Sequence, residues 1–413
     1  MIFKRADILL PKDADMSKWS VVACDQYTSE PKYWQEVEEY TKDALTSYNL
    51  ILPEVYLEDN DVDDRIKKIN SNMADCLNKD AFSLYPNCYI YVERTLRNGS
   101  VRKGVVGCID LEEYDYAKGS KSRVRATEKT VVERIPPRLK VRRNAPVELP
   151  HVMVLLDDEK REIIEKLADK RDKFIKVYDF DMMMNSGHIT GYVIDDETAK
   201  ELEAKLEKLN DIDAFNSKYG VKEESPLVFA VGDGNHSLAT AKEYYRQIKE
   251  NIIDGSIEMA RYALCEIVNL HDSSLEFEAI HRVVFDIDWD NFQKEFSAFA
   301  KEGSGEQSFY LVKDGKKTLW SVINPTANIT VGSVQNFIDG YLAANAGKVD
   351  YIHGEDVVLE LSKANNIGII LDAMEKSELY KTVTVDGALP RKTFSMGEAC
   401  DKRFYTEVRK IRG

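Results

Sequence analysis

Between Pro226 and Tyr245 the chain changes periodicity within a few residues. Pro226 to Val231 is a short apolar run, Gly232-Asp233-Gly234 breaks it, and from Asn235 onward Leu238, Ala241, Tyr244 and Tyr245 recur at helical spacing. A short apolar run bounded by turn residues reads as a buried strand, and the run after it as an amphipathic helix. From His151 the same alternation precedes it: strand 152–156, helix 158–170, strands 174–180 and 188–194, and helix 197–209. This pattern predicts an α+β or mixed α/β architecture.

The flanking segments fit that class. Pro31 to Tyr48 and Asp61 to Leu77 have apolar groups at helical spacing. Residues 88–94 and 103–111 are rich in β-branched and aromatic side chains, and Asn98-Gly99 between them favours a hairpin. Strands are expected at 262–270 and 281–285, then a surface loop at Lys301-Glu302-Gly303-Ser304-Gly305. Beyond it come a hairpin about Asp314-Gly315, helices 333–346 and 355–364, and strand 367–371. At 413 residues one core is too small a plan. The expected division is an N-terminal and central α+β region, 1–300, carrying the site, and a C-terminal α/β region, 301–413.

Composition narrows the function classes. The amino terminus lacks an export signal, and no uncharged apolar run approaches the roughly 18 residues that cross a bilayer. The expectation is a soluble, cytoplasmic chain without a membrane partner. Six scattered cysteines without a CxxC pair suit neither a zinc site nor a disulfide framework. The Asn-x-Ser/Thr matches at Asn98, Asn235 and Asn328 read as chance. A net charge of -15 makes nucleic acid an unlikely partner. A homo-oligomer stays open. Charge is uneven, however: Lys118 to Arg143 holds ten basic residues against two acidic ones. That stretch, with Pro136-Pro137 and Pro146, is expected to be partly loop.

Two constellations can carry chemistry. In Gly232-Asp233-Gly234-Asn235-His236-Ser237 the start of a helix offers unpaired N–H groups and the positive end of its dipole to an anion. Asn235 or Ser237 can cap the helix, Asp233 can hold a metal or accept a hydroxyl proton, and His236 can bond phosphate or move protons. The competing reading is a tight turn with a helix cap and a structural histidine. In Arg125-Ala126-Thr127-Glu128-Lys129-Thr130 the cations and hydroxyls suit phosphate oxygens, and Glu128 suits a general base or metal ligand. Its rival is a solvated charged loop. His281-Arg282, His353 and Arg391-Lys392 are further polar groups near element ends, and His188 and His271 read as structural. No metal-ligand spacing such as HExxH is present, and no Walker or GxSxG motif.

These motifs occur in a known order. Tyr91-Val92-Glu93-Arg94, Gly104-Val105-Val106-Gly107, Arg125 through Thr130, Asp233-Gly234-Asn235-His236, His281-Arg282, Tyr351-Ile352-His353-Gly354 and Pro390-Arg391-Lys392 together resemble the bacterial family called domain of unknown function 1015. The Asp-Gly-x-His turn also resembles the phosphate-binding motif of the ParB and sulfiredoxin-like superfamily, which includes free serine kinases and nucleotide-binding segregation proteins.

The resemblance implies a ParB/sulfiredoxin-like core with added N- and C-terminal α/β elements. It also implies phosphoryl transfer between ATP or ADP with Mg²⁺ and a small hydroxyl metabolite such as serine. The partner would be a small phosphorylated ligand. Asp233 and His236 with Glu128 would be catalytic, and Arg125, Lys129, Thr130, Gly234, Asn235, Ser237, Arg282, Arg391 and Lys392 would hold phosphate or nucleotide. His281 and His353 would meet the substrate. A phosphatase acting on a compound such as phosphoserine, and a non-catalytic nucleotide- or DNA-binding regulator, are the alternatives. Two departures stand out. The usual turn reads Asp-Gly-His-His-Arg, so Asn235 and Ser237 remove a cation. The stretch Trp19 to Trp34, with Ala23-Cys24-Asp25-Gln26-Tyr27, lacks the usual Pro-Pro-Tyr-Asp.

Overall fold

The computed structural model describes residues 1–130, 132–249 and 256–412. They form two compact units, 1–275 with 398–413, and 276–397.

The first unit is built on a sheet of ten strands among the described residues. In chain order they are β1 (Phe3–Lys4), β2 (Ile90–Thr95), β3 (Val101–Asp110), β4 (Tyr114–Asp115), β5 (Val124–Ala126), β6 (Met153–Leu156), β7 (Ile175–Asp181), β8 (His188–Val193), β9 (Phe229–Asp233) and β10 (Tyr262–Asn269). Their order is β7-β8-β2-β3-β10-β6-β9-β5-β4, with β1 paired to β3. Most pairs are antiparallel, but β10 with β6, β9 with β5, and β5 with β4 run parallel. The mixed α/β class expected from the sequence is what forms.

Alternation along the strands builds two cores, because successive side chains point to opposite faces. Tyr91, Val105 and Ile109 join Val154, Val231 and Ile267 on one face. Helices Asp196–Glu207 and Asn235–Lys249 cover it through Ala199, Leu202, Leu238 and Ala241. Ile90, Val92, Val106 and Cys108 point to the other face, where Val21, Val22, Trp34 and Phe404 pack. A third cluster joins Trp19, Leu50 and Leu52 to Ile66, Ile69 and Met73 of helix Val62–Asn78. The carboxyl-terminal segment returns to this unit. Phe404 and Tyr405 pair with Val22 and Val21, and Arg409 and Lys410 with Glu148 and Val147.

The second unit is a six-stranded antiparallel sheet, ordered by residue range as 300–302, 316–322, 308–313, 367–370, 281–285 and 348–352. Helix Trp289–Phe299 brings Phe292, Phe296 and Phe299 into an aromatic cluster with Phe309 and Phe337. The boundary expected near residue 301 falls inside this unit, where Ala300–Glu302 is an edge strand rather than the start of a surface loop.

Three local expectations differ. Residues 158–170 do not form an α-helix; a 3₁₀ segment runs over Glu165–Lys173. The Asp158 carboxylate accepts from Ile163 N–H, and the Asn269 amide donates to the Asp158 carbonyl and to Glu165, which holds the chain in turns. The basic stretch is less loop-like than expected. It contains helix Ile135–Asn144, whose Pro136 and Pro137 fall in the first turn, where an N–H is not required. The helix expected over 31–48 stops at Thr41, and Ser47–Leu50 is a separate 3₁₀ turn.

Candidate functional site

Because β5 and β9 are parallel, with Val124 opposite Phe229 and Ala126 opposite Val231, both strands end on the same side of the sheet. Thr127 Oγ donates to the Val231 carbonyl at 2.7 Å. Residues 127–130 therefore leave the sheet beside the turn 232–237. The carboxyl ends of parallel strands are where open α/β sheets leave room for ligands.

The turn has the geometry of a backbone cradle. Gly234 sits at φ +78°, and a Cβ there would lie 3.0 Å from Val152 Cα. Only glycine meets both conditions without strain. Asp233 Oδ1 accepts from Gly234 N–H at 3.0 Å, and Leu238 N–H donates to the Gly234 carbonyl at 3.0 Å, closing the first turn of helix 235–249. Asn235 Oδ1 is buried without a hydrogen-bond partner among the described residues. A buried acceptor left in that state is destabilising unless a ligand meets it.

β6 is antiparallel to β9, and its first residue Met153 lies opposite Asp233. This register carries His151 to the turn. His151 Nε2 is hydrogen-bonded to Ser237 Oγ at 3.1 Å and lies 3.7 Å from Asp25 Oδ2. Its Nδ1 is hydrogen-bonded to the Tyr405 hydroxyl at 2.8 Å, and that hydroxyl accepts from Cys24 N–H at 3.2 Å. Lys402 Nζ is 3.5 Å from Asp233 Oδ2. Asp25, His151, Asp233, Ser237, Lys402 and Tyr405 thus form one polar cluster.

Its electrostatics favour charge. Burial opposes ionisation of Asp25, but the nearby His151, assisted by Gln26 and Lys402, holds its carboxyl well below the usual range. Burial likewise opposes a charged His151, yet attraction to Asp25, with a smaller contribution from Asp233, raises its pKa overall. Each group thus favours the charged form of the other. Burial first, then Asp25, pushes the Cys24 thiol up to about 12, so it is no thiolate nucleophile.

The residues expected at a phosphate site divide into three groups. Asp233, Gly234, Asn235, His236 and Ser237 lie together at the turn, with His236 half-buried. Glu128, Lys129 and Thr130 follow β5 at the same end of the sheet; Glu128 is half-buried, Lys129 exposed, and Thr130 buried with its hydroxyl unpartnered among the described residues. Arg125 is turned away. Its guanidinium donates to the carbonyls of Ser122 at 2.7 Å and Ser225 at 3.3 Å, residues that precede β5 and β9. Much of the basic stretch is likewise neutralised: Lys121, Arg123, Lys140 and Arg142 pair with Glu223, Glu113, Asp63 and Glu148, and Arg138 pairs with Glu54.

The remaining expected residues belong to the second unit. Arg282 is fully buried. It donates to Gln335 Oε1 and to the carbonyls of Ile280, Arg391 and Lys392, so its fork holds the 390–393 loop. Burial lowers it to about 10. Arg391 pairs with Asp339 at 3.3 Å, and its guanidinium lies 5.4 Å from the centre of the Tyr351 ring. His281 Nδ1 accepts from Leu371 N–H at 3.3 Å, while His353 and Lys392 are exposed.

Sequence reasoning missed Asp25, His151, Lys402 and Tyr405. None sits in a local motif, and the one available signal was the unusual Ala23-Cys24-Asp25-Gln26-Tyr27 stretch.

The opposite end of the sheet carries a second polar cluster. Asp157 follows β6 and His271 follows β10, and each offers a ligand atom, with Glu159, within 4.8 Å of the others. Lys218 occupies the cation position, 2.9 Å from Asp157 and 3.1 Å from Glu159. His271 lies 2.7 Å from Asp157, and the Tyr219 hydroxyl also donates to that carboxylate.

A family model described as Protein of unknown function (DUF1015) matches residues 6–341. No curated protein matches the chain. A conserved hypothetical protein from Pyrococcus furiosus is similar at 11% identity and a TM-score of 0.36, over 74% of this chain and 94% of that one. A free serine kinase variant in complex with ADP is similar at 10% identity and a TM-score of 0.39, over 76% and 93%. A free serine kinase in complex with AMP gives 10%, 0.38, 74% and 91%. Among the described residues no helix is long and apolar enough to cross a membrane.

Proposed function

We propose, from the premise that this chain belongs to the DUF1015 family, that it is a phosphotransferase moving a phosphoryl group between a nucleotide and a small hydroxyl compound. The observation that carries this reading is the parallel pairing of β5 with β9. It sets residues 127–130 beside a glycine turn that opens a helix. Phosphoryl transfer asks the protein mainly for positioning and for neutralisation of charge.

The backbone N–H groups of the first turn after Gly234, with the Asn235 and Ser237 side chains, receive phosphate oxygens. Lys402, not Arg125, supplies the cation that the turn itself lacks. Its position 3.5 Å from Asp233 sets an ammonium at the mouth of the turn. Hard oxygen donors suit Mg²⁺, and the Asp233 carboxylate with the unpartnered Asn235 Oδ1 fits that ion. Bound there, it would supply further neutralisation of the transferred group. Glu128 is the candidate to receive the proton of the acceptor hydroxyl, and the Asp25–His151 pair orients that hydroxyl.

The test is incubation of the purified protein with ATP or ADP, Mg²⁺ and a pool of hydroxyl metabolites including serine, followed by mass spectrometry. A new phosphomonoester formed with stoichiometric nucleotide conversion supports the reading. Calorimetry showing neither nucleotide nor phosphoester binding sinks it. Phosphate release from phosphoserine without nucleotide conversion would make the protein a phosphatase at the same site. Salt-sensitive retention of DNA in a gel shift would instead favour a regulator.

A further inference from the structure

Behind the His151–Ser237 pair lies a cavity of about 150 Å³ within the first unit. Leu50, Leu52, Met73, Val141, Leu238 and Ala241 form much of its wall, and His151 and Ser237 are its polar members nearest the turn. A largely apolar pocket of about this volume has room for a molecule the size of benzene.

The charged groups in the wall are largely paired with one another, with Arg142 Nε left without a partner among the described residues. Glu54 is paired with Arg138. Glu148 accepts from Arg142 at 2.6 Å, from Arg409 at 2.8 Å and from Leu264 N–H at 2.9 Å. A zwitterion placed among these groups could set its carboxylate against Arg142 Nε but would bury its ammonium beside carboxylates that are already paired, which is unfavourable. An apolar group would fill space that the walls leave empty and recover the dispersion contacts they lack.

We propose that this cavity is the acceptor pocket and that it takes a neutral alcohol with an apolar body of about six carbons, its hydroxyl at His151 Nε2 and Ser237 Oγ. The assignment rests on the phosphotransferase reading for its role and on the cavity alone for its chemistry. It departs from free serine as the acceptor, because serine carries two charges and almost no apolar surface.

The probe is benzyl alcohol, titrated calorimetrically into the full chain beside serine, with ATP titrated separately. Benzyl alcohol is expected to bind saturably, and serine roughly tenfold or more weaker, since each buried CH₂ is worth about 0.8 kcal/mol. Ala241→Leu, which fills the cavity from helix 235–249, is expected to weaken benzyl alcohol about tenfold and leave ATP affinity unchanged. Should that variant fail to fold, a xenon-pressurised crystal of the unaltered protein provides the second measurement, with density expected between Leu52 and Ala241. Serine binding more tightly than benzyl alcohol overturns the proposal, as does a cavity without xenon. ATP binding without benzyl alcohol binding overturns the pocket assignment alone. Benzyl alcohol binding without any nucleotide or phosphoester binding upholds the pocket's chemistry and sinks the phosphotransferase reading.

Discussion

The two ends of the large sheet each hold a histidine–aspartate pair, and they are built to opposite effect. At the Asp157 end the donors gather on one carboxylate. His271, Lys218 and the Tyr219 hydroxyl all converge on one carboxylate that is 5% exposed. Burial pushes that carboxyl up, and the three donors bring it down below its usual range. At the Asp25 end the pair is looser, 3.7 Å apart, with Asp25 28% exposed. A buried acceptor on Asn235 is unmet there, and a cavity adjoins. The same residue types thus make a closed clasp in one place and an open cluster with an unmet acceptor in the other. What separates them is completion of the hydrogen bonding, not composition.

The largest expected effect is at the closed end. Asp157→Ala leaves Lys218 and His271 without their shared carboxylate; because Lys218 is 37% exposed and is rehydrated, the loss falls short of that for a fully buried pair, at about 2–3 kcal/mol. Urea denaturation of the variant should show a loss of that order, while the folded fraction binds nucleotide as before. A loss under about 1 kcal/mol would erase the contrast between the ends. Gly234→Ala comes next. The positive φ and the 3.0 Å approach to Val152 make the substitution strained, by about 1–3 kcal/mol. Nucleotide binding should also become unmeasurable by calorimetry, since the turn that presents the helix amides must shift. Full retention of binding would show that the turn is not the phosphate site.

How much of this was legible in the sequence follows from the range of the forces involved. The strand-turn-helix at 226–245 and helix 196–207 were legible because a periodic apolar face is a local property. The segment after Asp158 was not, because the tie that prevents an α-helix there comes from Asn269, more than a hundred residues away. Arg125 was misplaced for a similar reason. Its charge is visible in the chain, but the direction of its side chain is set by the carbonyls of Ser122 and Ser225. The turn around Asp233 was found, whereas Asp25, His151, Lys402 and Tyr405 were not. They reach it through the β6–β9 register and the returning carboxyl-terminal segment, which no local pattern announces.

A smaller effect tests the cation at the open end. Lys402→Met keeps most of the side chain's volume and removes its charge. Because Lys402 and Asp233 are each mostly but not fully buried, stability should change by less than about 1 kcal/mol. Nucleotide affinity should fall about tenfold, the equivalent of roughly 1.4 kcal/mol. Unchanged affinity would return the role of phosphate cation to Lys129.

The smallest and most specific expectation concerns pH. In the folded chain His151 has a raised pKa, so its pairing with Asp25 contributes stability that is fully present below its unfolded value of about 6.5. That contribution is lost as pH rises through the folded value. Asp25 is depressed, so its contribution is present above about 3.9 and lost as pH falls through its own folded value. Between those limits the pair is at full strength. Asp25→Asn removes both contributions and leaves burial, opposed by the smaller pull of Asp233, to lower His151. The stability gap between the unaltered protein and the variant should therefore be widest near about pH 5 to 6 and narrow toward about pH 9. Asp157→Asn provides the contrast: its depressed carboxyl depends also on Lys218, which stays charged across that range, so its gap should narrow less. Denaturation curves at the two pH values decide it, and equal narrowing for both variants would mean that the two ends are not electrostatically distinct.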